Sequence, residues 1–284
     1  MIRIAADSTC DLSPELVERY GIEIIPLYVI LDDREYQDGI NITPSEIYDW
    51  SDEVKRVPKT SSPTLPDAVE AFRRLVGPDD ELIVFTISSK MSTTINVFTM
   101  AAEELGISDR VSIVDSMNLS TGIGLQVIAA AEKAAEGLSR AEIVSYIESI
   151  RPKVRASFVV DTLVYLYRGG RCNGLAALVG GMLKLHPRIN VADGAMGPGQ
   201  KYRGKMSHVI LEYAKEMEPM LLNARKEHVF ITHSLGVEEE AIQAVRSYLE
   251  SLNYFDEIHE TIAGGVISSH CGPGTLGVLF IEKP

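Results

Sequence analysis

Cysteine is scarce in this sequence, with three residues among 284, Cys10, Cys172 and Cys271. No two form a CxxC pair, which excludes a disulfide framework and a thiolate zinc site. Positive charge is also in deficit. Lys and Arg total 27 against 40 Asp and Glu, for a formal charge of −13, and the pI is about 5.0. Polyanions are gripped mainly by clustered Lys and Arg, so nucleic acid is excluded as the natural partner. The same acidity disfavours an anionic membrane surface. No uninterrupted apolar run approaches about 20 residues, and the opening Met1-Ile2-Arg3-Ile4-Ala5-Ala6-Asp7 reaches an acid too early for a secretory leader. A cytoplasmic protein without stable membrane insertion is expected. The six histidines show no HExxH or similar spacing, so no metal site is expected.

What is present is globular: 45% hydrophobic and 24% charged residues suffice for a core and give no sign of disorder. The length is about twice that of a common domain, which favours two domains. Residues 1–6 read as a buried strand, and Ser13-Pro14-Glu15 as a capped helix start with proline in its first turn, ended by Gly21. The run Ile22 to Leu31 is β-rich, and Pro26 assigns it to a sheet edge or a bulge. Thr43 to Glu46 spells a capping box. From Leu82 onward strand and helix alternate: strands at 82–87 and 111–114, helices at 92–105 and 119–135. That order predicts a mainly parallel sheet flanked by helices, with ligand-binding loops at the carboxyl ends of its strands.

A helix over 141–150 runs into Arg151-Pro152, where the division falls: an N-terminal α/β domain over 1–152 and a C-terminal one over 153–284. The second is expected to be a mixed α/β domain. Strands are read at 157–160, 229–232, 257–262 and 276–281, helices at 175–185, 206–222 and 237–252, a Gly/Pro-rich stretch at 193–204, and loops around Arg168–Arg171 and Ser268–Gly274.

Hydroxyl clusters mark several of these junctions: Ser8-Thr9, Thr60-Ser61-Ser62, Ser88 to Thr94, and Ser116 with Ser120. Ser and Thr are common caps and turn formers. On a parallel sheet, however, such loops gather on one side and offer hydroxyls and helix N-terminal amides to an anionic or strongly polar group. His270, among small residues, can donate to a carboxylate or act as an acid or base. Phosphate motifs nearly match and fail. Gly199 to Lys205 has P-loop spacing, but Met206 stands where Ser or Thr would hold magnesium, and Gly272 to Gly277 spells GxGxxG but leads into a strand. A serine/histidine-dependent lipid or ester hydrolase using His270 is the alternative from another class, though no GxSxG elbow singles out a nucleophile.

Read in order, DSTCDL (Asp7 to Leu12), TSSPT (Thr60 to Thr64), SSKMSTT (Ser88 to Thr94), VDSMNLSTGIG (Val114 to Gly124), LYRGGR (Leu166 to Arg171), KYRGK (Lys201 to Lys205) and HCGPG (His270 to Gly274) resemble the DegV family over nearly the whole chain. The resemblance implies a two-domain lipid-binding carrier without catalytic activity of its own and with no cofactor. One long-chain fatty acid would be buried between the domains, its carboxylate held by Thr60, Ser92 and His270. It also implies a fatty acid kinase as partner, which would convert the presented acid to acyl phosphate, and gives Arg203 a place in the handover or in docking. Ser62 stands where the family usually has glutamine, and Thr93 where it has glycine. A β-branched residue there would forbid a positive φ or narrow the pocket.

Overall fold

The structure is a computed structural model that describes residues 1–171 and 185–283. In chain order its strands are β1 (Ile2–Asp7), β2 (Ile22–Ile25), β3 (Tyr28–Leu31), β4 (Arg34–Gln37), β5 (Lys59–Ser61), β6 (Glu81–Thr86), β7 (Val111–Asp115), β8 (Val154–Val159), β9 (Leu185–Ala192), β10 (Ala195–Arg203), β11 (Ala224–His233), β12 (Glu257–Ile262) and β13 (Leu276–Glu282). The first sheet, ordered β2-β1-β6-β7, is parallel throughout. The second, ordered β10-β9-β8-β13-β11-β12, is mixed, with only β11 and β12 parallel. A small antiparallel sheet, β4-β3-β5, completes the set. The chain is thus α/β, with a helix-flanked parallel sheet followed by a mixed-sheet domain.

Alternation along the strands assigns each face. Ile83 and Phe85 of β6 enter the main core, whereas Leu82 and Val84 pack with Phe72 and Phe98 from the helices Leu65–Leu75 and Thr94–Glu104. Likewise Leu279 and Ile281 of β13 join the main core, and Val278 and Phe280 join Tyr213 and Leu249 from the helices Met206–Glu216 and Glu239–Ser251. Both sheets therefore contribute to one core. At its centre lies the helix Thr121–Ala135, buried at every position from Thr121 to Ala131. It packs against β1 and β6 on one side and β8, β11 and β13 on the other. A helix apolar all round needs such enclosure, and TGIGLQVIAAA supplies it with residues small enough to fit between two sheets.

Local signals act as expected at several ends. Ser13 accepts from Leu16 N, Gly21 closes that helix at φ 61°, and both bonds of the Thr43/Glu46 capping box form. Pro26 separates two strands of different sheets, and β2 is an edge strand. The expected helix over 206–222 is broken at Met217 into Met206–Glu216 and Glu218–Leu221, with proline in the first turn of the second piece. The helix expected over 175–185 falls outside the described residues except for Leu185, which opens β9; Cys172 also lies outside them.

Two expectations are corrected. The stretch from Asp193 is a hairpin: Asp193 and Gly194, at φ 50° and 76°, join β9 to β10 with Ala192 opposite Ala195. Positive φ at both positions of an Asp-Gly pair makes the tight turn that suits twisted strands. Pro198 is accommodated because β10 is an edge strand and its register shifts between Pro198 and Lys201. Secondly, His270 is not in a loop. It lies in the last turn of the helix Gly265–Cys271. No described helix is long and apolar enough to cross a membrane.

Candidate ligand-binding site

A cavity of about 470 Å³ lies between the two sheets. From the parallel sheet it receives the segments that follow β6 and β7, including Ile87, Met91 and Leu119. The mixed-sheet domain supplies Phe158, Leu166, Met196 and Leu279, so apolar carbon forms much of the wall. Met196 is brought in by the hairpin. The tip of that hairpin is fastened to the first domain by a bond from Ser88 Oγ to Gly194 O at 2.6 Å.

Polar side chains from several elements join this wall. Thr60, Ser92 and His270, from three separate segments, line this one cavity. Thr60 Oγ1 stands 2.8 Å from His270 Nε2. Ser92 Oγ stands 2.9 Å from Thr94 Oγ1 and accepts from Thr94 N, at the start of the helix Thr94–Glu104. Thr93 takes φ −93°, ordinary for any residue, so threonine here meets no left-handed requirement. Ser62 and Thr93 both line the cavity, so these two positions shape its wall.

His270 is pushed down to about 3, first by burial and then by the neighbouring Arg171 guanidinium, so it is neutral near pH 7. Its Nδ1 is buried without a hydrogen-bond partner among the described residues, and a Cβ built on Gly169 would lie 2.4 Å from it. An unpaired buried N–H costs more than an unpaired lone pair. The favoured tautomer therefore carries its proton on Nε2, aimed at Thr60 and the cavity. Such a group donates to an anion without introducing a second buried charge.

The helix that carries His270 is held at its start by buried acids. Asp11 Oδ1 accepts from Gly264 N at 2.9 Å and Asp38 Oδ1 from Gly265 N at 2.6 Å. Ser120 and Ser8 donate to the other oxygens of Asp11 and Asp38. Asp7 accepts from Thr9 N and from Ile87 N. Burial pushes Asp7 up to about 6 and raises Asp11 and Asp38 as well. Ser8 and Thr9 are thus scaffold behind the cavity. Ser120 does both, lining the cavity and bonding Asp11 from a backbone held at φ 52°.

Arg203 is not brought to the site. It ends β10 and is exposed, outside the cavity lining. The arginine that does line the cavity is Arg171, which donates to Gly169 O at 2.7 Å and to Met91 O at 3.4 Å, tying the two mouth loops together. The sequence places Arg171 only in a loop, without a role at the site. The signal was the glycine pair before it, since Gly170 takes φ 70° and turns the chain back to the mouth. A hydrolytic relay is not assembled, because a triad needs a carboxylate on the far nitrogen of its histidine and His270 Nδ1 has no partner among the described residues. The arrangement suits an amphiphile with a small anionic head and an apolar tail.

Comparison with known proteins gives a consistent result. The family model described as "Uncharacterised protein, DegV family" matches residues 1–283. A DegV domain-containing protein of Deinococcus radiodurans is 33% identical over 277 residues, covering 98% of this chain and 97% of its own. Among solved structures, a fatty-acid-binding DegV family protein from Thermus thermophilus superposes with a TM-score of 0.89 at 31% identity, covering 99% of both chains. A stearic acid-binding protein from Eubacterium ventriosum gives 0.84 at 28% identity, covering 100% of this chain and 99% of that one.

Proposed function

The chain belongs to the DegV family, and from that membership we propose that it is a cytoplasmic carrier that buries one long-chain fatty acid in the cavity between its domains, 1–152 and 153–284. The observation that carries the reading is a largely apolar cavity whose lining includes Thr60 and His270, 2.8 Å apart. The tail supplies affinity. For an acid of about sixteen carbons, burying some fourteen methylenes at ~0.8 kcal/mol each is worth on the order of 11 kcal/mol before ordering costs. The head supplies register. Thr60, Ser92 and the Nε2–H of His270 donate to the carboxylate, each bond adding about 1.5–3 kcal/mol and offsetting desolvation.

With its head at the loop end, the acid is presented to a fatty acid kinase for conversion to acyl phosphate, and Arg203, exposed on β10, belongs to the docking surface. The carrier itself performs no turnover and needs no cofactor. Native mass spectrometry of the purified chain, followed by lipid extraction, is expected to find close to one C14–C20 acid per chain. Ser92→Ala combined with His270→Ala should lose bound acid while the circular dichroism spectrum stays native. Absence of lipid together with no uptake of added palmitate or oleate would reject the carrier, and unchanged affinity in the double variant would reject the head-group assignment.

A further inference from the structure

A second cluster of titratable groups lies midway along β11. His228 and His259, on the adjacent parallel strands β11 and β12, place Nδ1 of the first 3.0 Å from Nε2 of the second. Glu257 Oε2 is 3.8 Å from the same His259 nitrogen. Ligand atoms about 2.0–2.1 Å from one tetrahedral ion stand roughly 3.4 Å apart, and the two observed separations bracket that value. We infer that His228, His259 and Glu257 form a binding site for a divalent ion of the zinc class, and that it bridges the two domains.

The surroundings carry the inference beyond proximity. His228 Nε2 lies 3.1 Å from Glu132 Oε1. A carboxylate that accepts from the outer Nε2–H keeps the proton on that nitrogen, leaves Nδ1 with its lone pair directed at His259, and fixes the ring, which is the usual support of a metal-binding histidine. Glu132 belongs to the central helix and its Oε1 is 3.4 Å from Tyr20 OH, so the support comes from the first domain and the ligands from the second. Both imidazoles have side chains 11% exposed and Glu257 35%, an enclosed site with one open side. The site lies four residues along β11 from the cavity residue Thr232, about 13 Å at the usual rise, so it is separate from the lipid head group.

Arg19 decides the competition. It donates to both oxygens of Glu257, at 2.6 and 2.7 Å. An ion on Glu257 would share the carboxylate with the guanidinium, whose positive charge opposes a second cation, so Arg19 weakens metal binding, and in the metal-free protein the same pair bridges the domains. A network that is only structural would give Arg19 no such opposing role.

Equilibrium dialysis of the full-length, untagged chain against micromolar Zn²⁺ is expected to retain one ion per chain. His228→Gln and His259→Gln should abolish that binding, Glu132→Gln should weaken it about 10- to 100-fold, and Arg19→Ala should tighten it. No retained zinc, or retention unaffected by both histidine variants, overturns the inference. Should the histidine variants fail to fold, Arg19→Ala decides: tighter binding supports the site and unchanged affinity refutes it.

Discussion

Gly169 is set by the imidazole beside it. A Cβ there would lie 2.4 Å from His270 Nδ1 and 2.9 Å from Tyr165 O, and the backbone carbonyl cannot yield. Gly169→Ala must therefore push the imidazole away from Thr60. Overpacking of this kind costs about 1–3 kcal/mol, but the larger effect is expected on the head group, with bound acid lost or reduced severalfold. Titration with a fluorescent fatty acid, beside a thermal melt, separates the two. A variant that is less stable but retains full affinity would show that the ring position does not matter to the ligand. The same histidine has a pH signature. Its folded value, about 3, lies below the unfolded value of ~6.5, so below pH 6.5 the unfolded chain binds more protons. The wild type should accordingly lose stability relative to His270→Gln as pH falls from about 6.5 toward 3. Parallel denaturation curves at each pH check this.

Among the elements, the ends of β1 and β6 and the start of the helix Gly265–Cys271 are joined by buried carboxyls as well as by apolar contacts. Asp7, which closes β1 and accepts from Ile87 N, is raised to about 6 from an ordinary 3.8, chiefly by burial. Between those values the folded chain holds the proton and the unfolded chain does not. Asp7 therefore contributes stability that is present below about pH 4 and lost as pH rises through 6. Relative to Asp7→Asn, the wild type should become less stable over that window by up to roughly 3 kcal/mol, read from urea midpoints. A constant difference between the two proteins would mean that the carboxyl is ionised throughout.

Most of these elements were legible in the sequence because their signals are local: Ser13-Pro14, the Thr43/Glu46 box and the strand-helix alternation after Leu82 need no tertiary knowledge. The Ala195–Arg203 strand was not read because its glycines and Pro198 have poor strand propensity. Its one good signal, Asp193-Gly194, was absorbed into a Gly/Pro-rich stretch. His270 reads as a loop residue because Ser268 to Gly274 lacks helix formers. The buried carboxyls that hold the helix start lie more than 220 residues away in sequence. Thr60 and His270 are separated by 210 residues, and only the family resemblance joined them. Nothing joined His228 to His259, since their proximity depends on the β11–β12 register.

At the scale of the whole molecule, two sheets share one core. The boundary proposed at 152/153 separates the sheets in sequence, yet the helix Thr121–Ala135 from the first part packs on β8, β11 and β13 of the second. The cavity also takes its wall from both. Removing either sheet would expose one side of a helix that is buried through eleven consecutive residues. The sheets should therefore unfold together, and a ligand in the shared cavity should stabilise both. Saturation at about 100 times the dissociation constant adds roughly 2.7 kcal/mol. For a chain of 284 residues, 1 kcal/mol moves the melting midpoint by a little under about 2 °C. Delipidated protein reloaded with a long-chain acid should thus show one calorimetric transition raised by roughly 4–5 °C, unchanged in number. Two transitions, of which only one responds to the acid, would mean that the central helix stays with one sheet after the other has gone, and that the core is divided where the cavity lies.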